Sequence, residues 1–434
     1  MNPLSESQPS PTFDATPQRS WRQVLHSMGP GIMMAAAAVG GSHLVASTQA
    51  GAIYGYQLAL LILLVNLFKY PFFRAGVQYT MGTGDSLVEG YAKLGKPYLW
   101  LFALLCAFSA VVNTAALLMF SASLLGYFLP FTLAPLTLAF IVMAICLAIL
   151  LAGHYKALDK LSKGIMIVLT LATVLAVVMA MGNPAQPTAD FVAPSPWNLA
   201  AIGFIVVTMG WMPAPIEVSS LTSMWLKSQR RYQNVTPRSA MFDFNVGYIG
   251  TAVLALVFLA LGALVLHGTD VELARSGVGF SHQLVGLYAT TIGEWSRYLI
   301  AIIAFFCIFG STITVLDGYA RVVAESQRLI FQSNDKPAKK FNPQWNTAWM
   351  LIIAIGSLAI IAFLASALLP MLDFAMIMAF VTTPIFALLN YILVTRTKLP
   401  QELALSRRQN ILSIVGLIYL FGFLALFIWW KWLM

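Results

Sequence analysis

Two short stretches hold most of the residues whose types and spacing could do chemistry. The first is Gly40-Gly41-Ser42-His43, in the middle of the apolar run from Gly29 to Tyr56. The second is Thr208-Met209-Gly210-Trp211-Met212-Pro213-Ala214-Pro215-Ile216-Glu217. Each helix bond broken in hydrocarbon leaves polar backbone groups that need other partners, so such breaks are tolerated where they line a cavity inside the protein. In the second stretch each proline removes a donor and pushes its predecessor, Met212 or Ala214, out of the helical region. Backbone freed in this way is what a transporter offers its substrate. A glycine kink at a close helix crossing, with His43 bonded to a neighbour, is the other reading of the first stretch taken alone. The matching interruption in the second stretch favours a binding site between two breaks. Two acids lie nearby in sequence. Glu217 is five residues past Met212, about 7 to 8 Å along at helical rise. Asp317 precedes Arg321 by four residues, on one helix face. Ionisable groups inside apolar spans face a watery path or each other. Glu217 with His43 is therefore a candidate pair for carrying protons, and Asp317 is a weaker candidate with Arg321 as its simplest partner.

The elements that must position these residues are membrane helices. The chain of 434 residues is 59% hydrophobic and 9% charged, with a mean hydropathy of +0.80. Soluble domains carry roughly 25% charged residues, so this composition indicates a polytopic membrane protein whose main partner is the lipid bilayer. A 19-residue window gives eleven spans, at roughly 28–54, 56–77, 97–126, 131–153, 158–182, 197–226, 241–267, 295–330, 346–366, 370–395 and 409–432. The expected organisation is a flexible tail over residues 1–25, rich in Pro, Ser, Thr and Gln, then one transmembrane domain over 26–434. Helices 1–5 cover about 28–182, helices 6–10 about 197–395, and helix 11 about 409–432.

Basic residues alternate between links. Lys69, Arg74, Lys93 and Lys96 group around the end of span two, and Lys156, Lys160 and Lys163 around the link after span four. Lys227, Arg230, Arg231 and Arg238 follow span six, Arg328, Lys336, Lys339 and Lys340 span eight, and Arg396, Lys398, Arg407 and Arg408 span ten. The other links carry almost none, which places the N-terminus in the cytoplasm and the C-terminus outside. A bacterial-type inner membrane suits this pattern. The net charge of +9 is thereby explained without nucleic acid. Cys106, Cys146 and Cys307 all lie in apolar runs, so no thiolate cluster is indicated. No phosphate loop, catalytic triad or acid pair is found, so we expect no enzyme activity and no cofactor. Spans one and six would run in opposite directions, five spans apart, as an inverted repeat of five plus five helices requires.

On these residues the chain resembles the Nramp family of proton-coupled divalent metal transporters. The match begins at Gly29-Pro30 and runs through Gln49-Ala50-Gly51-Ala52 and Gly55-Tyr56. It continues in Thr83-Gly84-Asp85-Ser86-Leu87-Val88-Glu89, in Met212-Pro213 and in Ser311-Thr312-Ile313-Thr314. The resemblance implies an all-α, LeuT-like fold with eleven or twelve spans, the first and sixth broken. It also implies a set of site residues, and here the chain departs from the family. Where the family has Asp-Pro-Gly-Asn in span one, this chain has Gly40, Gly41, Ser42 and His43. Where it has Met-Pro-His in span six, the chain keeps Met212 and Pro213 but has Ala214, with Met209 one turn earlier. The proton-handling acids of span three correspond to Asn113 and Ala116, and the span-ten Gln to Thr382.

A transition-metal ion entering a low-dielectric site gives up its hydration, and a carboxylate ligand normally offsets that cost. His43 and Met212 form a soft, neutral pair, too few for a tight metal site. The expected function is thus a secondary transporter with an altered, uncharged site at Gly40, Gly41, Ser42, His43, Met209, Met212, Ala214 and Thr382. Its substrate would be a small ion or small polar molecule, with His43, Glu217, Asn113 and Asp317 as proton-coupling candidates. The small residues at 40–42 and 214 leave room for a wide cavity. Two alternatives stand beside this reading. One is a divalent-metal transporter using His43, Met212, main-chain carbonyls and retained water; the other is a non-transporting membrane receptor. Sequence leaves the substrate and the oligomeric state open.

Overall fold

A computed structural model describes residues 29–153, 155–269, 274, 277–331, 343–364 and 367–432; the expected tail at 1–25 lies outside them. Among the described residues all regular structure is helical. The first apolar run does not form one helix. Helix α1 (Pro30–Ala38) ends, a wide π-type turn covers Ser42–Ser47, and α2 (Thr48–Tyr54) completes the span. The two parts are bent by 49°. Next come α3 (Ala59–Thr83), the short α4 (Leu87–Leu94), α5 (Lys96–Tyr127), α6 (Pro135–Leu151) and α7 (Tyr155–Gly182). The second chemical stretch also separates two helices. It lies between α8 (Ile202–Gly210) and α9 (Val218–Gln229), with residues 211–217 outside helix. The remainder is α10 (Pro237–Val265), α11 (Gly277–Ile292), α12 (Arg297–Ile330), α13 (Pro343–Leu364), α14 (Leu368–Arg396) and α15 (Arg407–Trp432).

Among the described residues seven helices are long and apolar enough to cross a membrane, or eight if the bent α1–α2 pair counts as one span. The other three expected spans fall on shorter apolar helices, Pro135–Leu151, Ile167–Gly182 and Leu199–Gly210. The site is held by a core that runs along α5 and α12, with α10 and α14 closing its flanks. Both halves of the broken first span lie backbone-to-backbone on α10. A Cβ at Gly31 would sit 2.3 Å from the Asp243 carbonyl oxygen, and one at Gly51 would sit 2.0 Å from that of Leu259. In a bilayer, where apolar burial between helices yields little, such close approach is the main source of association.

Asp243 of α10 has its Oδ2 accept from the Gly31 amide at 2.7 Å. It thereby satisfies an orphan donor at the start of α1 and meets the positive end of that helix dipole. The basic end of the bundle is tied by α4, which the hydropathy pattern did not announce. Its capping box pairs Ser86 with Glu89, whose Oε2 accepts from the Ser86 amide at 2.8 Å. Lys227 of α9 donates to the same carboxylate. Burial alone would raise Glu89, but the hydrogen bonds from Lys227 and Ser86 outweigh it and hold the carboxyl below its ordinary value. Stability from this group is therefore present above the ordinary carboxylate range and is lost as pH falls through the depressed value. Glu89→Ala should cost about 1–3 kcal/mol, and the loss relative to wild type should shrink on acidification; thermal melts across pH test both.

Candidate functional site

Three carbonyls at the first-span break accept from side chains. Ala36 O accepts from Ser311 Oγ at 2.9 Å and Val39 O from Cys307 Sγ at 3.2 Å, both from α12. Ala38 O accepts from Ser42 Oγ at 2.7 Å. These bonds, with Gly40 N donating to Ala38 O at 2.9 Å, give partners to three carbonyls that the break takes out of the helix ladder. His43 is fully buried, and both ring nitrogens are engaged. Nε2 lies 2.9 Å from the Thr251 carbonyl of α10 and Nδ1 2.7 Å from Ser42 Oγ, with Ala38 O at 3.2 Å. A carbonyl faces each ring nitrogen, Thr251 O at Nε2 and Ala38 O at Nδ1, and these contacts hold the ring as a strut between α10 and the break.

A cavity of ≈30 Å³ lies between the two interruptions. Ala37, Ala38, Gly41 and Ser42 form one wall, Trp211, Ala214, Pro215 and Val218 the opposite one, and Asn113 and Tyr319 come from α5 and α12. This is room for roughly two water molecules. The wide cavity expected from the small residues is not what the structure has, because the Trp211 indole occupies the space. A Cβ on Gly41 would come within 2.5 Å of its ring. A larger hollow of ≈430 Å³ is lined by Asn183, Leu264, Gln283 and Thr290, away from both breaks, and gathers no charged group.

One hydrogen-bonded chain crosses the cavity wall. Trp211 Nε1 donates to Asn113 Oδ1 at 3.0 Å, and Asn113 Nδ2 donates to Tyr319 Oη at 2.9 Å. Tyr319 donates to Glu217 Oε1 at 3.1 Å, with Asn113 Nδ2 3.5 Å from the same oxygen. All four side chains are at most 5% exposed. Two helices, α5 and α12, and one break are thus joined through a single carboxylate behind the cavity.

The sequence-derived candidates divide cleanly. Gly41, Ser42, Ala214 and Asn113 line the cavity, and Glu217 stands one bond behind it. Gly40 faces Ser311, Ile308 and Leu117 instead. His43 is turned toward Thr251. Met209 and Met212 are buried in an apolar cluster with Ala50, Leu259 and Phe380, and the Met209 sulfur accepts from Tyr419 Oη at 3.8 Å. His43 and Met212, the pair weighed as metal ligands, therefore do not meet at the cavity. Among the described residues no group of three or more His, Cys, Asp or Glu could hold a metal ion. Thr382 bonds back to its own helix, to Met378 O and Ala379 O at 3.2 Å. Asp317 accepts from Arg321 Nε at 2.7 Å.

Trp211, Tyr319 and Lys69 were not singled out for roles. Tyr319 follows Val315, which also lines the cavity, by one helical turn and shares its face. Lys69 was grouped with loop bases at the end of span two; it is instead inside α3 and fully buried.

Comparison with known proteins fits this architecture. The family model of natural resistance-associated macrophage protein-like proteins matches residues 31–430. The chain belongs to the Nramp family. The uncharacterized protein PM0681 of Pasteurella multocida (strain Pm70) is 52% identical over 412 residues, covering 94% of this chain and 93% of that one. Among solved structures, the Eremococcus coleocola manganese transporter in complex with an aromatic bis-isothiourea substituted compound superposes with a TM-score of 0.69. It shares 14% identity and covers 96% of this chain and 88% of its own. MhsT in complex with L-phenylalanine gives 0.60 at 15% identity, covering 92% and 97%. At these identities the structures speak for the fold: this Nramp chain has the all-α, LeuT-like architecture and is a multi-pass integral membrane protein of a transporter family.

Proposed function

We propose that this Nramp-family chain is a secondary transporter whose site has lost its charge and accepts a small polar solute, not a dehydrated transition-metal ion. The observation that carries the reading is the cavity wall. Its polar groups are an amide, a hydroxyl, a phenol and an indole N–H, at Asn113, Ser42, Tyr319 and Trp211. Such groups hydrogen-bond a neutral or internally balanced molecule well, but do not repay the desolvation of a divalent ion. Engagement of both His43 nitrogens argues against the metal-transport alternative. Entry of a solute requires the Trp211 indole to swing aside, which would exchange its bond to Asn113 for one to substrate. In the same reading the N-terminus faces the cytoplasm, the C-terminus faces outside, and no catalysis is performed.

Uptake of a panel of labelled small polar solutes into proteoliposomes tests this. Asn113→Ala should lower uptake of the accepted solute about tenfold, the equivalent of one lost hydrogen bond. Equal uptake by the variant would remove Asn113 from the site.

Glu217 is the proposed proton carrier, because it is the carboxylate that the cavity's hydrogen-bonded chain ends on. Tyr319 and Asn113 face it directly. If it cycles protons, internal acidification accompanying uptake should be lost in Glu217→Gln. Acidification equal to wild type would exclude it.

A further inference from the structure

Lys69 has no place in the site described above, yet it is a fully buried cation inside an apolar helix. Its Nζ donates to the carbonyl oxygens of Met209 at 2.7 Å and Gly210 at 3.0 Å. Among the described residues it forms no ion pair with a carboxylate. The two carbonyls belong to the last turn of α8, where the helix stops at the sixth-span break. Final-turn carbonyls have no helical partner, and they form the negative end of the helix dipole. Across the break, α9 begins at Val218, and the buried carboxylate of Glu217 stands at its positive end. Each half-helix therefore meets a buried side chain of opposite sign. In broken transporter helices, half-helix C-terminal ends are where a mobile coupling ion is coordinated.

We propose that the ammonium of Lys69 is a tethered cation filling a cation site at the end of α8, so that the break needs no mobile Na⁺ or divalent ion to stay assembled. The ligands for that site are two backbone oxygens, which bind an ammonium or a small monovalent metal ion by the same electrostatics. With Glu217 ionised, Lys69 and Glu217 balance each other across residues 211–217, and the substrate class consistent with that state of the break carries no net charge. That last step rests on the transporter reading; the tethered-cation assignment does not.

The test uses the purified full-length chain and no transport substrate, so its failure would leave the transporter reading untouched. Thermal unfolding is followed in NaCl and in choline chloride at equal ionic strength, for wild type, Lys69→Arg and Lys69→Met. Wild type and Lys69→Arg should unfold at the same temperature in both salts. Lys69→Met should unfold on the order of 10 °C lower in choline and recover part of that loss, saturably, in NaCl. Stabilisation of wild type by Na⁺ over choline would overturn the proposal. A Lys69→Met chain as stable as wild type in both salts, or equally destabilised in both, would also overturn it. Should Lys69→Met give no folded protein, Lys69→Arg decides: folded and indifferent to salt supports the tethered charge, unfolded overturns it.

Discussion

Gly51→Ala should collapse the protein's thermal stability, while Gly40→Ala, eleven residues earlier in the same span, should leave it nearly unchanged. The two glycines look alike in sequence, but they face different neighbours. A Cβ at Gly51 would stand 2.0 Å from the Leu259 oxygen and 2.7 Å from the Ala263 nitrogen, both backbone atoms of α10. Nothing there can rotate away, so α2 and α10 would have to separate along their contact. Overpacking of a core costs about 1–3 kcal/mol when side chains can adjust, and a rigid backbone clash belongs at or above that limit. A Cβ at Gly262 would stand 2.1 Å from the Thr48 oxygen, from the other side of the same crossing, so Gly262→Ala should behave like Gly51→Ala. A Cβ at Gly40 would meet Ser311 Oγ at 3.5 Å, an ordinary contact. Thermal unfolding in detergent should show a drop on the order of 10 °C, or no folded protein, for the first two and a few degrees at most for Gly40→Ala. Equal effects at Gly40 and Gly51 would mean that the α2–α10 contact is not what holds the broken span.

Asn113→Leu is the second large effect. The amide accepts from Trp211 and donates to Tyr319, with Glu217 within reach. Leucine keeps the volume but removes the side-chain acceptor of the indole N–H and withdraws a donor from the phenol. Leaving buried polar groups unpaired costs about 1–3 kcal/mol each, so a loss of roughly 2–4 kcal/mol is expected. Tyr319→Phe alone should cost less, and the two changes together should cost less than their sum because they break the same chain. Additive costs would show that Asn113 and Tyr319 act separately. Trp211 fluorescence should shift as the indole leaves its partner.

The outline of the molecule was open to reading from hydropathy because a bilayer leaves little choice: apolar runs must become helices. The two interruptions were legible for the same reason, since Gly40-Gly41 and Pro213-Ala214-Pro215 are costly where lipid offers no hydrogen bonds. What could not be read was the direction in which side chains turn at a break, where no period applies. Met212 and Ala214 are two residues apart, yet one is buried in an apolar cluster and the other lines the cavity. His43 looked like a ligand, but its partner is a carbonyl in α10, more than two hundred residues away. The small residues suggested empty space because sequence does not show which large side chain fills it; here it is Trp211. Lys69 was misread as a loop residue because charge counting assigns bases to the nearest link. A lysine buried among apolar residues needs a polar partner, and that requirement is the signal that would have found it.

The proposed absence of charge and of metal ligands from the cavity is tested most directly by Mn²⁺ binding. Titration calorimetry of the purified chain, with Mn²⁺ uptake into proteoliposomes alongside, should give no saturable heat and no accumulation above protein-free vesicles. Saturable Mn²⁺ uptake that disappears in His43→Ala would contradict the account.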